Sequence, residues 1–115
     1  MSRDPSKLRV FHLSDELVAD IYNATADFPS EERYGLQAQI RRAAVSVPSN
    51  LVEGSARRGD REYVNFCNIA CGSAYEGRYL IGLSFRLGFL PKKVHDELIP
   101  RMTHVCKACA VARSG

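Results

Sequence analysis

The sequence has no long hydrophobic run. Its longest uninterrupted apolar stretches cover only a few residues, such as LIGL at 80–83, whereas a helix that crosses a bilayer needs about 20. The N-terminal residues MSRDPSKLRVFHL also lack the apolar segment and small-residue cleavage site of an export signal. We therefore expect a cytoplasmic protein that neither spans a membrane nor is exported.

The short motifs of nucleotide-dependent enzymes are also missing. Neither GxxxxGKS/T nor GxGxxG occurs, which argues against nucleotide hydrolysis and dinucleotide chemistry. The histidines His12, His95 and His104 fall in separate segments and have no metal-binding spacing. No nucleophile and base stand at a recognised catalytic spacing. We expect a protein that is not an enzyme and that uses no cofactor and no metal.

Nothing in the sequence divides the chain, since it has no internal repeat, low-complexity tract or long linker. Its 115 residues fit one domain, residues 1–115. With 45% hydrophobic and 25% charged residues, a packed core is expected. The net charge of +3 is too small to establish nucleic-acid binding. Arginines outnumber lysines by 12 to four, and arginine suits bidentate contacts to phosphate or carboxylate.

The strict alternation that marks β-strands is absent, and apolar and small residues instead recur at alternating spacings of four and three. That period indicates one face of a helix, so we predict an all-α protein. Because the connections are short, successive helices should be antiparallel neighbours in an up-down-up-down four-helix bundle. The predicted helices cover about residues 8–28, 30–53, 60–87 and 91–112.

Particular residues are expected to begin, bend or end these helices. Ser30 and Asp60 are plausible N-caps of the second and third helices. Pro48 should kink the second helix and Pro100 should bend the fourth, because proline removes a backbone donor. Gly88 should end the third helix in a left-handed conformation.

The third helix has an unusually thin core-facing stripe, in which four of seven residues are small. Such a stripe lets a neighbouring helix approach closely, and the partner's side chains then supply the missing bulk. We therefore expect this helix to be central to the core. The stripe consists of Phe66, Ala70, Ser73, Gly77, Leu80, Ser84 and Leu87.

The middle of the chain carries a distinctive pattern, RYGLQAQIRRAAVSVPSNLVEGSARR, followed by EYVNF and IACGSAYEG. It resembles the bacterial 23S ribosomal RNA intervening-sequence protein family from about Val10 to Leu90. The sequence departs from that pattern at Gly77, where a leucine-like residue is general, and at Val52, where alanine is common.

The resemblance implies a four-helix bundle assembled as a ring of five subunits, with no catalytic residue. The family's biochemical role is mostly unassigned. The accessory variability determinant proteins of diversity-generating retroelements are a related group, and they form similar five-fold barrels whose basic surfaces engage nucleic acid and a reverse transcriptase. This second likeness is an analogy of fold, which does not settle function.

Basic residues are the first candidate for function. One interpretation is an electrostatic track for RNA or DNA, repeated around a ring. The other is solvated faces and ion pairs between subunits, for example with Glu53, Glu62 or Glu76. Within one subunit the clusters are separated, because a helix rises about 1.5 Å per residue and Arg41 then lies roughly 20 Å from Arg57. The candidate nucleic-acid-binding residues are Arg41, Arg42, Arg57, Arg58 and Arg61, with Lys92 and Lys93 as a further basic pair.

Four cysteines form the second candidate. Cys67 and Cys71 are four residues apart, and Cys106 and Cys109 are three apart. If the third and fourth helices are antiparallel, a four-thiolate zinc site is conceivable. The alternative, which we favour, is that they are free thiols acting as small hydrophobic core residues.

A polar set on the second and third helices is the third candidate. It could line a ligand pocket, or it could be a buried hydrogen-bond network that sets helix register and the subunit interface. We favour the structural network, in which Asn50 bridges backbone groups freed by Pro48. The set consists of Gln39, Arg42, Ser46, Asn50, Glu53, Ser73 and Glu76.

Together these patterns favour a homo-oligomeric scaffold or adaptor. Its partners would be further copies of the chain, in a pentamer, and RNA, DNA or a nucleic-acid-processing protein held on a basic surface. The rival hypothesis is a bundle that binds a metal through its cysteines or a small ligand through the polar set.

Overall fold

The computed structural model describes residues 5–114, with side chains from Leu8 onward. These residues form four α-helices and one 3-10 turn, and they contain no β-strand. The prediction of an all-α fold with four helices is confirmed. The helices are α1 (Pro5–Thr25), α2 (Leu36–Ser55), α3 (Asp60–Arg86) and α4 (Lys92–Ser114), and the 3-10 turn is Ser30–Glu32.

Each helix packs against two others. Helix α2 lies between α1 and α3, α3 lies between α2 and α4, and α4 closes against α1. The diagonal pairs are α1 with α3 and α2 with α4, and among the described residues no Cα atoms of either pair lie within 8 Å of each other. The molecule measures 43 × 25 × 18 Å, so the helices form an elongated bundle around one long core.

The core follows the periodic stripes. Ile21, Ile40 and Ile81 are each at most 1% exposed, and Met102 and Val105 are similarly buried. Burial of each such side chain contributes about 1.5–3 kcal/mol. Other residues that recur at this helical spacing and lie in the core include Val10, Leu17, Leu36, Val47, Leu51, Leu80, Leu98, Cys109 and Ala112.

The start of α2 differs from the prediction. Ser30 does not cap this helix, because the chain first makes the 3-10 turn and α2 begins only at Leu36. The Oε1 atom of Glu32 accepts a hydrogen bond from the Leu36 N–H at 3.0 Å. Gly35 leaves room for that carboxylate, since a Cβ there would lie 2.9 Å from the same oxygen. An acidic side chain therefore stabilises the helix N-terminus.

Helix α3 begins at Asp60 itself, with Gly59 in the cap position, so Asp60 is a first-turn residue. Its C-terminal end follows the prediction at Gly88, which has a positive φ of 82°. Leu87, however, is 54% exposed. Its assignment to the core-facing stripe was wrong, because α3 ends at Arg86 and the chain turns before the side chain can reach the core.

Gly77 is buried where three helices meet. A Cβ at this position would lie 3.0 Å from the Met102 Cε atom and 3.9 Å from the Ala43 Cβ atom. Met102 on α4 therefore fills the space that a larger residue at position 77 would need. This contact agrees with the expectation that neighbouring helices supply the bulk missing from the thin stripe of α3.

Both prolines lie inside continuous helices, Pro48 in α2 and Pro100 in α4. No helix within residues 5–114 is long and apolar enough to cross a membrane.

Candidate nucleic-acid interface

An open groove of about 870 Å³ runs along the surface beside α2. Its lining comes from the C-terminal part of α1, the connection before α2, the first half of α2 and the middle of α3. We call it the arginine groove. Its polar and aromatic lining residues are Tyr22, Arg33, Tyr34, Gln37, Gln39, Arg41, Arg42, Ser46, Ser73 and Glu76.

Arg41 holds one end of this groove together. Its Nε donates to the Thr25 Oγ1 atom at 2.9 Å, and its Nη2 donates to the Tyr22 carbonyl at 3.1 Å. The guanidinium also lies over the Tyr22 ring, 4.4 Å from the centroid. The Nε2 of Gln37 donates to the Thr25 carbonyl at 2.8 Å. Two side chains of α2 thus donate to carbonyls at the C-terminus of α1, and the cation complements the helix dipole.

Thr25 is the centre of this contact. The residue is only 1% exposed, and its hydroxyl also donates to the Ile21 carbonyl at 2.8 Å. Replacing Thr25 with valine should lower the free energy of unfolding by about 1 kcal/mol, because the partly buried Arg41 Nε–H loses its acceptor. Urea unfolding followed by circular dichroism measures the change. Thr103→Val is the matched control, since Thr103 accepts only a long 3.5 Å bond from Arg78. Equal losses in both variants would contradict the role of Thr25.

The groove is positively charged. Three arginines and one glutamate line it, which gives a local charge of +2. Arg33 and Arg42 are exposed and form no ion pair with any described residue. They are therefore available to an external anion, whereas Arg41 is committed to α1.

The predicted basic residues do not come together. Arg41 and Arg42 line the groove, but Arg57, Arg58 and Arg61 lie around the connection at the far end of α2. The Arg57 guanidinium pairs with the Glu53 carboxylate within its own subunit and lies 4.9 Å from the Phe66 ring centroid. The separation of the two groups agrees with the expected spacing along one subunit, and phosphate binding by the second cluster stays a prediction.

Two tyrosines of the groove were missed as functional candidates. Tyr22 is 41% exposed and Tyr34 is 89% exposed, and both stand beside arginines. Tyr34 directly follows Arg33 in the sequence, which is a local signal of this pairing. Tyr22 reaches the groove only because α1 packs against α2, so no local pattern could have placed it there.

The predicted polar network is partly assembled. The Ser46 and Ser73 hydroxyls are 2.8 Å apart and join α2 to α3. The Asn50 Nδ2 atom donates to the Ser46 carbonyl at 2.7 Å and to its Oγ at 2.9 Å. Asn50 therefore does not bridge the Ala44 carbonyl that Pro48 leaves without its helical donor, and that part of the prediction was wrong. The remaining members, Gln39, Arg42, Glu53 and Glu76, are all exposed.

The four cysteines are all buried and unpaired in the core between α3 and α4. Burial, with smaller contributions from the neighbouring Cys71, Cys106 and Cys67, raises the pKa of the Cys109 thiol to about 12. Burial also raises the pKa of Cys106. Metal ligation needs thiolates, which these surroundings disfavour. Among the described residues, no three His, Cys, Asp or Glu side chains are grouped to hold a metal ion.

Comparisons with known proteins identify the fold and the family. No curated protein matches the chain. The fold is similar to the 1.70 Å crystal structure of a protein of unknown function from the S23 ribosomal protein family of Bacteroides thetaiotaomicron VPI-5482. The two are 21% identical, with a TM-score of 0.87 over 96% of this chain and 99% of that one.

The family model described as "23S rRNA-intervening sequence protein" matches residues 6–110. Since that match runs from α1 into the last turns of α4, the chain belongs to the 23S rRNA-intervening sequence protein family.

Proposed function

We propose that this protein is a cytoplasmic, non-enzymatic scaffold, assembled as a ring of five up-down-up-down bundles, that binds nucleic acid in the arginine groove. The groove carries the proposal, because it combines arginines without internal ion pairs, exposed tyrosine rings and amide side chains on one surface. Proteins that hold single strands use this combination of cationic and aromatic groups. A nucleic-acid-processing enzyme is the protein partner that the likeness to accessory variability determinants implies.

The contacts between helices support the up-down order. Along α2 and α3, Ser46 meets Ser73 while a Cβ at Gly54 would meet Phe66, so residue numbers rise on one helix as they fall on the other. Between α3 and α4, Gly77 faces Met102 while the Phe85 ring stacks on His95, so the residue numbers again run in opposite directions. Short connections between such pairs are typical of antiparallel neighbours.

Exposed apolar side chains support self-association. On the outer face of α2 and α3, Val52 is 43%, Ile69 is 51% and Tyr79 is 59% exposed. Such side chains would be covered in a contact between subunits. The number of subunits rests on the family resemblance.

The nucleic-acid proposal predicts a local effect of charge. Replacing Arg33 and Arg42 with glutamate should weaken binding of a fluorescent RNA or DNA oligonucleotide at low salt by about tenfold or more, because two phosphate contacts become repulsive. Fluorescence anisotropy measures the affinity.

The matched control reverses the same amount of charge on α4, with Lys107→Glu and Arg113→Glu, both of which are exposed. The control should bind nearly as well as the wild type. Equal losses in the two double variants would show a diffuse charge effect and no groove. A stronger loss in Arg57→Glu with Arg58→Glu would place the interface at the other end of α2. Undetectable binding by the wild type would end the nucleic-acid proposal.

Self-association predicts a mass of about 64 kDa in solution, five times the 12.8 kDa of the chain. Light scattering measures it. Ile69→Arg should lower the mass, because it places a charge in the apolar face. Val111→Arg is the control, since Val111 is 63% exposed but lies on α4. A monomeric wild type would contradict the ring.

A further inference from the structure

The most exposed tyrosine of the described residues lines the arginine groove. Tyr34 is 89% exposed and, among the described residues, it makes no ring contact, cation–π contact or side-chain hydrogen bond. We propose that the groove selects single-stranded over double-stranded nucleic acid, with one base stacked on Tyr34 and the adjacent phosphates on Arg33 and Arg42. This inference rests on the proposed nucleic-acid function and names the form of ligand that the groove takes.

The position of Tyr34 suits stacking. It lies in the connection between the 3-10 turn and α2, directly after Arg33, so a ring and a guanidinium project from adjacent residues. In a nucleic-acid strand, each base is likewise attached next to a phosphate. A single nucleotide can therefore meet both side chains at once.

A second stacking surface lies deeper in the groove. The Arg41 guanidinium already covers the Tyr22 ring at 4.4 Å from the centroid, which holds both planes in place without a ligand. Bases stack on aromatic rings and on arginine planes alike. Because this pair is pre-organised by the Thr25 contacts, little side-chain entropy remains to be lost when a base binds.

The charge distribution gives the strand an orientation. The arginines lie on α2 and on the connection before it, whereas Glu76 lies on the α3 side of the groove. Phosphates are attracted to the first wall and repelled from the second, so the bases point towards α3. Ser73 on α3, with its partner Ser46 and Gln39 on α2, presents polar groups within the groove that can hydrogen-bond base edges.

The preference for a single strand follows from access to base faces. In a duplex, each base is covered above and below by its neighbours, and side chains reach only the edges and the backbone. A single strand can splay its bases and expose them to aromatic rings. A duplex would meet the arginines but leave Tyr34 without a stacking partner.

The experiment compares one RNA sequence of about 12 nucleotides, without self-complementarity, as a single strand and as a duplex, with the matching single-stranded DNA as a third ligand. The wild type should bind the single strands more tightly than the duplex. Tyr34→Ala should weaken single-strand binding by about tenfold, the effect of losing one stacked base, and leave duplex binding unchanged. Tyr34→Phe should keep the wild-type affinity, because its ring still stacks.

Tyr79→Ala controls for the loss of any exposed tyrosine, since Tyr79 is 59% exposed on α3 and does not line the groove. The chain has no tryptophan, so tyrosine emission can be followed directly. Single-strand binding should quench this emission in the wild type, and Tyr34→Phe should lose the part of the quenching that comes from Tyr34, at unchanged affinity.

Equal affinities for single strand and duplex, with no effect of Tyr34→Ala, would overturn the inference and leave the proposed function standing. Failure of every ligand to bind would overturn both. A preference for RNA over the matching DNA would assign part of the recognition to the 2′-hydroxyl, within the same single-strand inference.

Discussion

Replacing Gly54 with alanine is expected to lower the free energy of unfolding by about 2 kcal/mol. Gly54 is buried near the C-terminus of α2, against the start of α3. A Cβ there would lie 2.9 Å from the Phe66 Cβ atom and 3.3–3.4 Å from atoms of Tyr63. The Phe66 Cβ is attached directly to the backbone, so only a shift of the helices could relieve the contact. Alanine is more favourable than glycine inside a helix by roughly 1 kcal/mol, but the free-energy cost of this overpacking is larger.

The control for Gly54 is the same substitution at Gly82. This glycine lies within α3, and a Cβ there would meet no atom within 4 Å. Gly82→Ala should therefore raise the free energy of unfolding by about 0.5–1 kcal/mol. Urea unfolding of both variants gives the comparison. If Gly54→Ala is as stable as Gly82→Ala, the close approach of α2 and α3 at this point is not tight.

Gly54 also shows why the ends of helices were harder to predict than their faces. The run GSARRG at 54–59 has the composition of a loop, and α2 was predicted to end at residue 53. The helix continues to Ser55, because Gly54 provides space for α3. A glycine required by packing and a glycine that ends a helix look alike in a single sequence.

The faces of the helices could be predicted because they depend only on local periodicity. On α2, for example, Leu36, Ile40 and Val47 follow the helical repeat and are all buried. The predicted second helix began at residue 30 and so included Arg33, but Arg33 precedes the first turn of α2 and is exposed. The error arose because Ser30 looked like an N-cap, whereas the stabilising carboxylate belongs to Glu32 and acts only after the 3-10 turn.

The arginine groove could be predicted only in part. Arg42 and Gln39 were identified from spacing along α2, and Glu76 from the corresponding spacing on α3. In the single chain these three residues are exposed, because no further helix covers them, and their part in a subunit interface stays a prediction. The contribution of Tyr22 required the packing of α1 on α2, which a periodic pattern does not specify.

Alkaline pH should destabilise this protein through its buried thiols. Burial raises the pKa of the Cys109 thiol to about 12 from its ordinary value of 9.0. The unfolded chain therefore loses this proton at a lower pH than the folded chain does. Below pH 9 both states are protonated and stability is unaffected. Above pH 9 the free energy of unfolding should fall by about 1.4 kcal/mol per pH unit, and the loss should end near pH 12.

Comparison with Cys109→Ala separates this effect from the titration of tyrosines and lysines. The wild type should be the more stable protein at pH 8, because alanine leaves part of the core space at α4 unfilled. By pH 10.5 that difference should shrink by about 2 kcal/mol, since only the wild type keeps a protonated thiol at position 109 when folded. Urea unfolding under reducing conditions at both pH values measures it. A difference that stays constant with pH would show that the thiol at position 109 is not held in its neutral form by burial, and that water reaches the centre of the bundle.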